Sequence, residues 1–273
     1  MSEHRPFELR ASDGKLIRGD RSIGKDRQVL FITGFLSKRW GNKSKALAQW
    51  SQEKGWGFCC YDVRGFGDSE GQFTDYTLSD WIADARTVLT MLTGPSFLTR
   101  PPQARQDAPL PRVTIVGNSL GSWIAWLVAQ EFPIVEELIL IAPAFNMMGE
   151  RAKTISKERL HDWHTAGWMP WDDDPLHKDW SLSWKWVEES EQYWDKTFDD
   201  VRRVKTTILH GLQDTVIVPE GSRRFADELL RRDPSFPLDL HLIPGDHRLS
   251  GQEHLDLFQR LVERRKADAH PDS

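Results

Sequence analysis

The 273-residue sequence predicts an α/β fold: a mostly parallel central sheet flanked by helices, with a helical cap inserted between two late strands. Three observations predict it. Short continuous apolar runs alternate along the chain with segments of helical period, the rhythm of right-handed βαβ units. The length suits one α/β domain with an insertion and is enough to bury a large core. One stretch, Phe145 to about Val204, breaks the rhythm. It holds no buried-strand run, reads as helices and loops, and must therefore leave the sheet and return. The chain then divides into a core of residues 1–144 and 205–273 and a cap of residues 145–204.

The elements follow in order. "FELRASDGKLIRG" places two strand-like runs around Asp13-Gly14, a hairpin turn signal. "QVLFIT" is a strand buried on both faces. A helix from Lys43 to Lys54 stops at Gly55, and "GFCCYD" is the next buried strand, running into the glycine-rich loop "VRGFGDSEG". Thr77 to Thr93 is the clearest helix. Thr77 and Asp80 form a capping-box-like start, and Leu78, Trp81, Ile82, Ala85, Val88, Leu89 and Leu92 recur at helical spacing. Gly94-Pro95 ends it, and "PSFLTRPPQARQDAPLP" reads as a surface loop. "RVTIVG", "ELILIAPA", "KTTILHG" and "LDLHLIPG" are further strands. "SWIAWLVAQEF", Pro219 to Arg232 and Gln252 to Lys266 are further helices, and the tail "ADAHPDS" is expected to fray.

Composition excludes several classes. With 39% hydrophobic and 28% charged residues the chain reads as soluble and globular. A formal net charge of -5 argues against a general nucleic-acid binder. No apolar run is long enough for a membrane span, and "MSEHRPFELR" lacks the apolar core of a signal peptide, so a cytoplasmic location is expected. Cys59 and Cys60 are adjacent in a strand, point to opposite faces and are expected to be two buried thiols in a reducing compartment. Asp172-Asp173-Asp174 reads as a solvated loop, since a metal site needs more ligands than this. Neither metal nor cofactor is expected.

"VTIVGNSLGSW" carries the chemistry. Gly117-Asn118-Ser119-Leu120-Gly121 is a G-x-S-x-G pattern between a strand and a helix. A sharp strand-to-helix turn strains the serine backbone, and the glycines remove Cβ atoms that would clash there. Such a turn lifts the hydroxyl clear of the sheet and sets it at a helix N-terminus, where free N–H groups favour developing negative charge. The pattern alone equally describes an ordinary turn. A serine nucleophile also needs a base and an acid that orients the base, in chain order Ser, acid, His. Asp214 lies just past the strand "KTTILHG" and His247 just past the next one, so both reach the sheet edge that carries Ser119. Three separated positions meeting at one edge outweigh any of them alone. His210 is a rival base, but at a strand end before a glycine it reads as packed or hydrogen-bonded locally. Asp246 is a rival acid, too close to His247 to reach its Nδ1 while the ring faces Ser119. An oxyanion hole needs two N–H donors. Leu120 supplies one, and the loop "ITGFLS" supplies the other through Phe35 or, as an alternative, Leu36.

Taken together, "FITGFLS", "YDVRGFGDSEG", "GNSLGSW", "HGLQDTVIVP" and "GDHRL" resemble the α/β-hydrolase superfamily, in the family's order and over nearly the whole chain. The phrase "GFLS…GNKSKAL", the D-x-R-G-x-G-x-S-x-G loop and the ending "DHRL" are most similar to one branch. That branch holds the mitochondrial depalmitoylating thioesterase and acyl-glucuronide esterase, with bacterial relatives. The resemblance implies Ser119, Asp214 and His247 as nucleophile, acid and base, with Phe35 and Leu120 as oxyanion donors. The chain departs from the pattern at Thr33-Gly34, where many relatives have His-Gly, in the longer loop after Gly94, and in the tryptophan content of the cap.

Seven of the 13 tryptophans fall in that cap: Trp163, Trp168, Trp171, Trp180, Trp184, Trp186 and Trp194. Most are expected to form the cap's own core, with Trp180, Trp184 and Val187 sharing a helical face. Trp168, Met147, Met148 and Leu36 are the candidates for contact with substrate. The expected partner is a small-molecule acyl ester or thioester, hydrolysed through an acyl-serine. The alternatives are a C–C bond hydrolase, an aminopeptidase or a perhydrolase on the same scaffold, or a binding protein that kept the fold without activity.

Overall fold

The computed structural model describes residues 4–24, 26–94, 112–170 and 180–263. Among them an eight-stranded sheet runs in the order β1-β2-β4-β3-β5-β6-β9-β10. The antiparallel end is β1 (Arg5–Arg10), β2 (Leu16–Ser22) and β4 (Gly57–Tyr61), with β1 and β2 folded back on each other around Asp13-Gly14. From β4 onward all pairings are parallel, through β3 (Arg27–Ile32), β5 (Arg112–Asn118), β6 (Val135–Ile141), β9 (Lys205–Gly211) and β10 (Leu238–Ile243).

Central strands of a parallel sheet are covered on both faces, which is why they read as unbroken apolar runs. Val113 to Val116 and Leu138 to Ile141 are buried throughout. Helices α2 (Leu78–Thr93), α3 (Leu120–Ala129) and α7 (Glu220–Arg232) pack on one face against Leu30, Ile32, Ile115 and Leu140. Helices α1 (Asn42–Glu53) and α8 (Gln252–Glu263) cover the other face, against Val29, Phe31, Val116 and Ile139. The period of two sorts Cys59 to the first face and Cys60 to the second; both thiols are free and buried. At the start of α2 the Asp80 carboxylate accepts the Thr77 N–H at 2.9 Å.

Between β6 and β9 the chain forms α4 (Met147–Ala152), α5 (Lys157–Ala166) and α6 (Lys185–Asp195). It also forms a feature the sequence did not reveal, a short antiparallel pair of β7 (Trp168–Pro170) and β8 (Ser181–Ser183). "SLS" and "WMP" contain no β-branched residue and are too short to show alternation, so the pair left no readable signal. The pair also overturns one expected helical face. Trp180 precedes β8 and stacks on Phe73 at 4.5 Å, while Trp184 caps α6 and Val187 lies within that helix. Trp163 and Trp186 are buried, and Trp186 meets Phe35 and Trp81 edge to face, joining this segment to the sheet domain. The loop after Gly94, Trp171, Asp172-Asp173-Asp174 and the chain beyond Glu263 lie outside the described residues.

Candidate active site

Register fixes where the parallel strands end. Asn118 pairs with Ile141, Ile141 with Leu209, and Gly211 with Ile243. The residues just beyond β5, β9 and β10 therefore emerge along one carboxyl edge, where open α/β sheets bind ligands.

Ser119 caps α3 with φ of 53°, a left-handed conformation that L-residues adopt only under constraint. The constraint is visible. Its N–H donates to the Ile141 carbonyl at 2.8 Å, its carbonyl accepts the Ala144 N–H at 3.1 Å, and the Ser122 hydroxyl bonds both polar groups of the Ile141 backbone. A Cβ on Gly121 would collide with the carbonyls of Ile32 and Thr33, so this glycine lets α3 start against the end of β3.

His247 completes a chain of hydrogen bonds. Its Nε2 lies 3.2 Å from Ser119 Oγ and its Nδ1 lies 2.7 Å from Asp214 Oδ2. The other carboxylate oxygen accepts the N–H groups of Val216 and Ile217 at 2.9 and 2.8 Å. Burial pushes the Asp214 carboxyl up. The hydrogen bonds from His210, His247 and the Ile217 N–H outweigh that push and hold it well below the usual carboxylate range. It therefore stands beside His247 as a carboxylate at neutral pH.

The loop after β3 lies against the serine. A Cβ on Gly34 would sit 3.1 Å from Ser119 Cβ and 3.2 Å from Asn118 Nδ2. This brings the next residues, Phe35 and Leu36, beside the N-terminus of α3, where the first N–H groups, that of Leu120 included, have no partner within the helix. The loop is held from behind. Arg39 donates its N–H to Asp62 Oδ1 at 2.6 Å and its guanidinium to Asp20 and Asp68 at 2.7 Å each. Asp62 and Asp68 belong to the glycine-rich D-x-R-G-x-G-x-S-x-G loop, so that motif supports the site rather than lining it.

A cavity of about 1150 Å³ opens at Ser119 and His247. Leu36, Met147 and Met148 line it, as do Trp194 of the cap tryptophans and Val216 and Val218, which the sequence did not single out. Trp168 does not line it. Alternation in β7 buries Met169 and turns Trp168 outward, 47% exposed, onto a separate depression beside Thr77 and Lys185. The structure thus sets Trp168 apart from the other three candidates for substrate contact, Leu36, Met147 and Met148, which share the cavity at Ser119.

The cavity's charged residues are Lys38, Lys43, Arg151, Arg224 and Arg248, with Glu150 the lone acid among its described lining residues. Burial lowers the Lys43 amine to about 8, and its Nζ donates to the carbonyl of Arg248, the residue after His247. These cations come from five different segments, so no local run in the sequence announces them. His210 is buried and bonds locally as expected, and one of its partners, which the sequence reading did not name, is Asp214 itself. The spacing H-x-x-x-D at the end of β9 was the available signal.

Residues 25–171 match the Hydrolase_4 family, described as serine aminopeptidase, S33. Palmitoyl-protein thioesterase ABHD10, mitochondrial, from Homo sapiens is 24% identical over 246 residues, which covers 88% of this chain and 73% of that protein. The structure of α/β hydrolase domain-containing protein 10 from mouse aligns with a TM-score of 0.74 at 22% identity, covering 95% of this chain and 97% of the other. Est1E from Butyrivibrio proteoclasticus, with ferulic acid bound, aligns with a TM-score of 0.71 at 21% identity, covering 94% and 96%. At these identities the structural likenesses establish the fold.

Proposed function

The chain belongs to the Hydrolase_4 family of α/β-hydrolases, and from that premise we propose that it is a serine hydrolase of carboxylic esters or thioesters. One observation carries the reading: the unbroken chain of hydrogen bonds from Ser119 through His247 to Asp214 at the mouth of the cavity.

On this reading His247 Nε2 takes the hydroxyl proton as Ser119 Oγ attacks the acyl carbon. Asp214 keeps the His247 proton on Nδ1 and stabilises the imidazolium that forms. The carbonyl oxygen becomes an oxyanion held by the N–H groups of Phe35 and Leu120. When the tetrahedral species collapses, the imidazolium gives its proton to the departing alkoxide or thiolate and an acyl-serine remains. A water deprotonated by His247 then attacks that ester, and the acid leaves as Ser119 regains its proton. The substrate is a small acyl compound, and residues 145–204 serve as the cap that encloses it, with Met147 and Met148 at its entry.

The name of the matched family raises aminopeptidase activity as a second reading. Holding a free α-ammonium group calls for carboxylates. Glu150 is already shared with Lys153 at 2.7 Å and Arg224 at 3.5 Å, and the other charged residues of the described lining are cations. This charge favours an ester, and an acidic substituent on it, over a peptide N-terminus.

A panel of acyl esters and thioesters of graded length, with an amino-acid p-nitroanilide alongside, tests the reading. The apolar lining is worth about 0.8 kcal/mol per buried methylene, so kcat/KM should rise by up to roughly fourfold per carbon until the cavity is full. The esters and thioesters should exceed the anilide by at least about a hundredfold, the margin set by an unmet buried charge. Preference for the anilide would sink the proposal.

A further inference from the structure

Asp214 does not serve His247 alone. A second imidazole, His210 at the end of β9, lies fully buried with Nε2 3.1 Å from Asp214 Oδ2 and 2.8 Å from the Ile217 carbonyl oxygen. Both neighbours are acceptors, so Nε2 carries the proton and donates to them. On the far side Nδ1 lies 2.7 Å from the hydroxyl of Ser222 in α7, itself fully buried. In that tautomer Nδ1 accepts and Ser222 donates. The oxygen that binds His210 is the one that receives His247 Nδ1 at 2.7 Å. The other oxygen is filled by the Val216 and Ile217 N–H groups. The carboxylate is thereby held from four directions, by a strand-end side chain, a loop backbone and the proposed base.

Two consequences follow from elementary electrostatics. A donor on Oδ2 draws charge away from the bond to His247, and so moderates how strongly the carboxylate favours the imidazolium. The ring also fills the side toward which the carboxylate would otherwise turn, while Ser222 and Ile217 fix the ring's tautomer. We propose that His210 is a positioning residue for the hydrolytic reaction: it fixes the Asp214 carboxylate and sets its strength as the partner of His247. The proposal rests on the reading of Ser119, His247 and Asp214 given above. It extends that reading to a residue which touches neither substrate nor nucleophile.

Among the described residues, the titratable groups that meet the carboxylate are His210 from β9 and His247 from the loop after β10, while α7 contributes the Ser222 hydroxyl, on the far side of His210. Around the His247 loop, Asp246 accepts the N–H groups of Arg248 and Leu249, and Lys43 donates to the Arg248 carbonyl. None of these is changed by substituting His210 or Ser222.

The test compares His210→Leu, His210→Gln and Ser222→Ala in the full chain, each checked for folding by urea denaturation. Removing the N–H donor in His210→Leu should lower kcat by about tenfold or more with KM within about twofold, the mark of misplacement rather than lost binding. The acidic limb of its pH–kcat/KM profile should move to higher pH, because an Oδ2 relieved of one donor favours the imidazolium more. His210→Gln, whose side-chain amide reaches the place of Nε2, should recover most of the rate and return the limb. Ser222→Ala, which removes the donor to Nδ1 and so weakens the Nε2–H as a donor to Asp214, should move the limb in the same direction by less, and it carries the test should His210→Leu not fold.

A second readout is independent of turnover. The downfield proton resonance of the His247 Nδ1–H bonded to Asp214 should move further downfield in His210→Leu as that bond tightens. An unmoved limb and resonance in folded His210→Leu, or in Ser222→Ala where His210→Leu does not fold, would overturn the proposal. A parent chain without hydrolytic activity would count against the reading of Ser119, and the proton resonance would still decide whether His210 governs Asp214.

Discussion

Ser119→Ala is expected to lower kcat on a short p-nitrophenyl ester by roughly 10⁵- to 10⁶-fold, with KM changed little, because the variant keeps the cavity and loses only the attacking atom. His247→Ala is expected to fall by a similar factor, and the double variant no further, since nucleophile and base act as one unit. Asp214→Asn should lose about 10⁴-fold, an amide at that position favouring the wrong tautomer of His247. The geometry behind these numbers is a 3.2 Å contact at the hydroxyl and a 2.7 Å contact at the carboxylate. Steady-state kinetics on the single and double variants checks them. Additive losses in the double variant would show that the two side chains do not act in one step.

The largest loss of stability is expected at Arg64. Its guanidinium is buried, donates to Asp84 Oδ1 at 2.6 Å and pairs with Asp13 at 3.0 Å; its N–H also donates to Asp84 Oδ2, at 2.8 Å. Asp84 is fully buried on α2, so the pair ties the glycine-rich loop after β4 to that helix. Breaking a buried pair from one side leaves an uncompensated charge, and Arg64→Ala is expected to cost about 3–5 kcal/mol in urea unfolding. Burial pushes the Asp84 carboxyl up to about 6, against the pull of the Arg64 N–H and guanidinium. Its folded-state value therefore lies above its unfolded one, the folded protein holds the proton more tightly, and this group's contribution grows as the pH falls from above 6 toward 4. Without Arg64 that difference widens, so Arg64→Ala should be less damaging near pH 5 than near pH 8. A cost below about 1 kcal/mol at pH 8, or a cost that grows on acidification, would contradict this account of the loop.

What could be read from the chain, and what could not, divides along physical lines. The parallel strands were legible because burial on both faces makes them continuous apolar runs, and α2 was legible because Leu78, Trp81, Ile82 and Ala85 carry the helical period on one side. Ser119, Asp214 and His247 were legible through position: each follows a readable strand, and strands of one parallel sheet end on one edge. The β7/β8 pair was not, since three-residue strands carry no period. The outward turn of Trp168 depends on that unseen pair, so it was not legible either. The cations of the cavity and the second histidine on Asp214 come from contacts between distant segments. The sequence offers the residue types there but not their meeting.

The most direct test of the central claim is to treat the folded chain with a fluorophosphonate probe and map the adduct by peptide mass spectrometry. The account predicts one stoichiometric adduct on Ser119, formed rapidly in the parent, at least about 10³-fold more slowly in His247→Ala, and not at all after unfolding. Absence of an adduct on Ser119 in the folded parent, or equal rates in the parent and His247→Ala, would contradict it.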